Sequence, residues 1–163
     1  CDRLSMKMQV PFFSAGDLIS DINGEQYGTN KAVINKNRNQ ILLAEKVKEL
    51  NQDYNRIILA GHFCIFNKSN EVETLPDSVF YNLNIEHIIL LEAGNDIIVE
   101  HLKRRDDKIY PLQSIQQLIM AERKQSLKIA KELKIPLSIY QMTFLDEDAQ
   151  NIINILNKGV LYE

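Results

Sequence analysis

Hydrophobic positions alternate along the chain between short continuous apolar runs and longer stretches with an apolar residue every third or fourth place. Short runs bounded by turn residues read as strands buried on both faces, and the longer spacing reads as amphipathic helix. Cys1 to Met8 has Leu4 and Met8 one turn apart and reads as helix from its first residues. Val10-Pro11-Phe12-Phe13-Ser14 is a strand candidate closed by Ala15-Gly16-Asp17, and Asp17 opens a short helix from Leu18 to Ile22. Residues 23–35, with Gly24, Gly28 and several asparagines, read as a connection. Leu43, Ala44, Val47 and Leu50 mark a helix over 36–50. Arg56-Ile57-Ile58-Leu59-Ala60-Gly61 is a buried-strand run, followed by a hairpin pattern over 63–66 and 72–75. Pro76 suits the first turn of a helix reaching Leu83.

The second half repeats the alternation. His87-Ile88-Ile89-Leu90-Leu91 is another buried strand, and Asn95 or Asp96 caps a helix to about Arg105. Ser114 with Gln117 forms a capping-box pattern for a long helix to about Leu133. Ile135 to Tyr140 is the last strand, and Asp146 caps a closing helix through Lys158, stopped by Gly159. Strands alternating with helices predict an α/β fold, a parallel sheet flanked by helices on both faces. Ligands of such sheets bind at the carboxyl ends of the strands, so Ser14 to Asp17, Gly61 to Cys64 and Glu92 to Asp96 are the segments to inspect.

Composition narrows the classes without choosing among them. The 163 residues suit one domain over 1–163, and 45% hydrophobic with 25% charged residues is ordinary globular composition. A net charge of −3 gives no general attraction to nucleic acid or anionic membranes, and no apolar run approaches the roughly 20 residues of a membrane span. Cys1 and Cys64 do not make a disulfide framework, so a reducing, cytoplasmic setting is expected. With no Met at its start and a helix already under way, the sequence reads as beginning inside a longer protein; a lipidated mature cysteine at position 1 is the alternative. Oligomeric state is not legible.

Read in order, the strand ends resemble those of P-loop kinases of the adenylate kinase-like, nucleoside monophosphate kinase type. Phe13-Ser14-Ala15-Gly16-Asp17-Leu18-Ile19 resembles the S-T-G-D segment after the family's second strand. Ile57-Ile58-Leu59-Ala60-Gly61-His62-Phe63 resembles the strand ending in D-G-F, and His101-Leu102-Lys103-Arg104-Arg105-Asp106 resembles the L-x-x-R-D start of a lid. The resemblance spans nearly the whole chain and implies a lid region over about 103–124. It also implies a strand order of 2-3-1-4-5, with the first strand and its phosphate-binding loop upstream of residue 1. The strands at Ile57–Ala60 and His87–Leu91 are then third and fourth, and should run parallel without pairing to each other.

The same resemblance implies an ATP-dependent small-molecule or nucleotide kinase using Mg²⁺. Arg104, Arg105 and Arg123 would hold the transferring phosphoryl group, because a guanidinium fork stays charged and binds phosphate bidentately. Losing Arg105 would then lower kcat by at least ~10²-fold. Ser14, Gly16, Asp17, Gly61 and His62 would contact substrate. Plainer readings stand beside these. Arg104 and Arg105 also read as part of a solvated charge run, Arg123 as part of a wet helix face with Lys124 and Lys128, and Asp17 as a dipole-complementing acid. Glu122 lies near an apolar stripe and reads as a core-edge ion-pair partner, Cys64 as packing, and His87 and His101 as structural or surface residues. His62-x-Cys64 lacks further partners at metal spacing.

Three departures from the pattern matter. No G-x-x-x-x-G-K-[S/T] occurs in the chain, and Ala60 stands where D-G-F supplies its acid. Ala15, Ser20 and Cys64 replace a threonine and two arginines that contact AMP in the family, and each charge-assisted partner lost is worth ~1.5–3 kcal/mol. An acceptor other than AMP is therefore expected, with a non-catalytic nucleotide-binding or scaffold domain as the alternative.

Overall fold

In a computed structural model of the protein, residues 1–23, 36–67, 69–106 and 110–158 are described. In chain order they form α1 (Asp2–Met8), β1 (Phe12–Ser14), α2 (Ala15–Asn23), α3 (Lys36–Asp53), β2 (Ile58–Ala60), β3 (Cys64–Phe66), β4 (Val72–Thr74), α4 (Asp77–Tyr81), β5 (Ile88–Glu92), α5 (Asn95–Asp106), α6 (Leu112–Leu133), β6 (Leu137–Gln141) and α7 (Asp148–Lys158). The predicted connection over 23–35 and the stop at Gly159 lie outside the described residues, except that Asn23 closes α2.

Among the described residues the strands form three separate pairs, two of them parallel as the α/β reading expects, with the strands at 58–60 and 88–92 unpaired with each other as the resemblance implies. β1 and β2 are parallel, with Phe12, Phe13 and Ser14 opposite Ile58, Leu59 and Ala60. β5 and β6 are parallel over five residue pairs, from Ile88–Leu137 to Glu92–Gln141. β3 and β4 form the antiparallel hairpin that the apolar–polar–apolar pattern predicted. Its tip is organised by Asn67, whose Oδ1 accepts the Ser69 and Glu71 N–H groups, and Asn70 takes a left-handed φ of 60°.

β2 does not pair with β5, yet the two strands are tied at both ends. Arg56, just before β2, lies 3.3 Å from the carboxylate of Glu86, just before β5. At the far ends, the adjacent α6 residues Glu122 and Arg123 reach the exit of β2 and the last residue of β5. Such contacts are the ones expected of two strands running in the same direction. The long side chains of Arg56 and Glu86 can bridge two strand spacings of ~4.8 Å each.

α6 holds this arrangement together. It lies against β3, β4, β5 and β6, and its Ile115 and Ile129 are fully buried. Ile129 joins Leu43 and Val47 of α3, Phe80 of α4, and Ile88 and Leu90 of β5 in the core. Burying each such side chain stabilises the fold by ~1.5–3 kcal/mol. Phe63 stacks on Phe80 with ring centroids 4.7 Å apart, fixing the turn after β2 to the core. No helix of the described residues is long and apolar enough to cross a membrane.

Two predicted caps differ. α6 starts at Leu112, behind Pro111, with no side-chain cap, so Ser114 is already inside the helix rather than capping it. Pro111 sets an extended backbone there (φ −57°, ψ 138°) and needs no N–H of its own. Asp146 is exposed and pairs with Arg3 of α1, and α7 begins at Asp148, whose carboxylate turns back onto the Thr143 and Phe144 N–H groups ahead of the helix rather than capping it.

Candidate functional site

Ser14, the last residue of β1, sets the first wall of the site. Its hydroxyl accepts the Asp17 N–H at 3.3 Å, satisfying a free donor of α2's first turn. The helix therefore begins at Ala15, three residues earlier than the apolar spacing alone suggests. Asp17 is exposed in that first turn, where a carboxylate complements the helix dipole. Ser20, which replaces a phosphate-binding arginine in the resemblance, is buried and donates to the Gly16 carbonyl at 3.1 Å. It is turned into its own helix rather than out to a ligand.

The β2 exit lies beside this wall. Ser14 and Ala60 are register partners, and a Cβ placed on Gly61 would lie 3.5 Å from Ala15 Cβ, an ordinary contact. After Gly61 the chain is gripped from α6: the Glu122 carboxylate accepts the Phe63 N–H at 3.0 Å and the Cys64 N–H at 3.2 Å. His62 Nδ1 lies 3.3 Å from Glu122 Oε1, while the imidazole is 65% exposed and the carboxylate only 15%. The sequence-based reading of Glu122 as a core-edge ion-pair partner agrees with this geometry. Its two backbone contacts were not legible, because nothing in the sequence links position 122 to 63 and 64.

Cys64 is packing, as expected. It is 2% exposed, its thiol faces the Thr74 hydroxyl at 3.7 Å, and burial pushes the thiol above its ordinary range, so it stays neutral. Like Ser20, it offers a phosphate no contact.

Glu92 ends β5 and forms the opposite wall. Its carboxylate is 19% exposed and lies 3.6 Å from Arg123, whose side chain is half-exposed. Glu92 Oε1 is buried and accepts no hydrogen bond among the described residues. α6 thus presents an acid to the β2 side and a cation to the β5 side from consecutive positions. Arg104 of α5 is 66% exposed and 3.8 Å from Glu100 one turn earlier, on a solvated helix face. The Arg105 side chain lies outside the described residues. Of the two predicted arginines whose side chains are described, Arg123 lies beside a strand end and Arg104 does not.

The loop after β6 closes the same edge. Asp148 is buried, and its carboxylate accepts the Thr143 hydroxyl at 2.7 Å, the Tyr140 hydroxyl at 2.8 Å and the Phe144 N–H at 2.8 Å. Burial pushes this carboxyl up, but the donors from Thr143, Tyr140 and Phe144 outweigh it and hold it below the usual value. The anchored loop sets Phe144 at φ 62°, unusual for a bulky side chain, with its ring edge-on to His101 of α5 at 5.2 Å. His87 is structural: its Nε2 lies 2.9 Å from the Ser138 hydroxyl, and burial lowers its pKa.

No group of three or more His, Cys, Asp or Glu side chains is arranged to hold a metal ion among the described residues. Compared with known proteins, the chain matches the family model described as an AAA domain (AAA_17) over residues 1–119. None of the curated proteins matches it.

Proposed function

The chain belongs to the AAA domain family, a P-loop NTPase-like and kinase-type domain, and on that premise we propose that it is the body of an ATP-dependent small-molecule kinase. The observation that supports the reading is that β2 and β5, each in its own parallel pair, are unpaired with each other while side chains link the residues that flank them. Facing strand edges in a stable fold need partners for their backbone groups. A central strand preceding Cys1 would supply them and would lead into the phosphate-binding loop between the strand ends that carry Ser14 and Gly61 and those that carry Glu92 and Arg123. This is the 2-3-1-4-5 order of adenylate kinase-like enzymes, with β1, β2, β5 and β6 as strands 2, 3, 4 and 5.

In this reading ATP binds across that edge with its phosphates on the upstream loop. Phosphoryl transfer asks the protein mainly for positioning and charge neutralisation. Arg123 supplies a cation at the end of β5, and Ser14, Gly16, Asp17, Gly61 and His62 line the acceptor side. Mg²⁺ would arrive on the triphosphate; the described residues do not by themselves form its site, and no step is drawn through it. The Ala60 substitution of the D-G-F acid favours a second reading, a nucleotide-binding domain without turnover.

The full-length protein separates the two. Calorimetry with ATP and a coupled assay for ADP should give binding together with acceptor-dependent ADP formation. Binding without turnover would favour the non-catalytic reading, and the absence of ATP binding would refute both.

A further inference from the structure

We propose that His62, oriented by Glu122, is the general base of the reaction and that the acceptor is a neutral hydroxyl rather than a phosphate. The inference rests on the kinase reading and deepens it. Glu122 already accepts two backbone N–H groups, and its Oε1 lies 3.3 Å from His62 Nδ1. A carboxylate there favours the tautomer with the proton on Nδ1. Nε2 is then left with a free lone pair on a 65% exposed ring, one residue past the β2 exit. The Cys64 thiol also packs beside Glu122, and it is neutral and turned to Thr74.

The acceptor class follows from what a base is needed for. A phosphate acceptor is already largely anionic at pH 7, its second pKa being about 6, and gives up no proton. An alcohol keeps its proton until attack and needs somewhere to send it. The positions that would grip an acceptor phosphate are also closed: Ser20 is bonded to its own helix, and Cys64 is buried. In the step itself, the hydroxyl oxygen bonds to the γ-phosphorus of ATP, and the bond from that phosphorus to the β-phosphate oxygen breaks. ADP leaves with the electron pair, and the hydroxyl proton passes to His62 Nε2. The resulting imidazolium keeps its Nδ1–H toward Glu122. His62 is the catalytic residue of this proposal and Glu122 a positioning residue.

Two measurements on the full-length protein test it. ¹⁵N–¹H correlation spectra of the histidine rings at pH 8 should show His62 as the Nδ1–H tautomer, and Glu122→Gln should shift it toward the commoner Nε2–H form. In ADP-release assays, nucleosides and sugar alcohols should support turnover well above nucleoside monophosphates. His62→Asn, which keeps a nitrogen near the Nδ1 position but nothing at Nε2, should lower kcat about 10²-fold or more with KM for ATP unchanged. An Nε2–H tautomer in the wild type, a kcat within a few-fold for His62→Asn, or preference for monophosphates overturns the base while leaving the kinase reading standing. A wild type that turns over no acceptor overturns both.

Discussion

Removing the Glu122 carboxylate should destabilise the fold through the turn after β2 rather than through the helix that bears it. In Glu122→Ala, the Phe63 and Cys64 N–H groups lose acceptors at 3.0 and 3.2 Å. Hydrogen bonds to a charged group contribute ~1.5–3 kcal/mol each. Cys64 is 2% exposed, so its N–H has no route to bulk water, while half-buried Phe63 recovers part of its loss by hydration. The expected net cost is therefore about 3 kcal/mol. At roughly 2–4 °C per kcal/mol for a domain of this size, Tm should fall by about 6–12 °C. Glu122→Gln keeps one carbonyl acceptor and should cost about half as much. Differential scanning calorimetry with urea unfolding gives both numbers. A Glu122→Ala protein within 1 kcal/mol of wild type would show that the carboxylate does not hold this turn.

Other predictions rest on separate parts of the molecule. Asp148 has its carboxyl held below the usual value, so its contribution to stability is present above the unfolded pKa of about 3.9 and is lost as pH falls through the lower folded value; Asp148→Asn should flatten that acid limb of the stability–pH curve. The Tyr81 hydroxyl donates to Glu132 at 2.5 Å and is pushed up to about 12, so spectrophotometric titration should find a late tyrosine that Glu132→Gln returns toward 10. Arg123→Ala should lower kcat about 10²-fold, whereas Arg104→Ala, paired one turn away with Glu100 on a solvated face, should leave kcat within a few-fold. Equal losses in steady-state assays would mean that α5 approaches the nucleotide as closely as α6 does.

How much the sequence disclosed depended on whether the determining interaction was local. β2 and β5 were readable because a buried strand must be continuously apolar, and the β3–β4 hairpin because its two short runs flank a polar turn. Boundaries set by one side chain were less readable. Ser14 starts α2 three residues before the apolar spacing does, and Pro111 starts α6 before the Ser114 pattern. Asp146 and Asp148 look alike as caps, yet Asp146 pairs with Arg3 and Asp148 turns back onto the Thr143 and Phe144 donors of the preceding turn. Glu92 and Glu122 owe their roles to partners roughly 30 and 60 positions away in the chain, and no local pattern announces such a pairing.

Glu122 and Arg123 being consecutive on one helix gives the site a phase. Successive residues of an α-helix point about 100° apart, so a small roll of α6 about its axis moves the two side chains together through the same angle. Turning the acid deeper toward the β2 exit swings the cation with it, away from or onto Glu92 according to the sense of the roll. The two walls are thus geared rather than independent. A one-residue deletion between Ile115 and Glu122 would shift the gearing by about 100° and put the buried Ile115 and Ile129 out of phase with each other, so the grips cannot be mistimed without disturbing the core packing of α6.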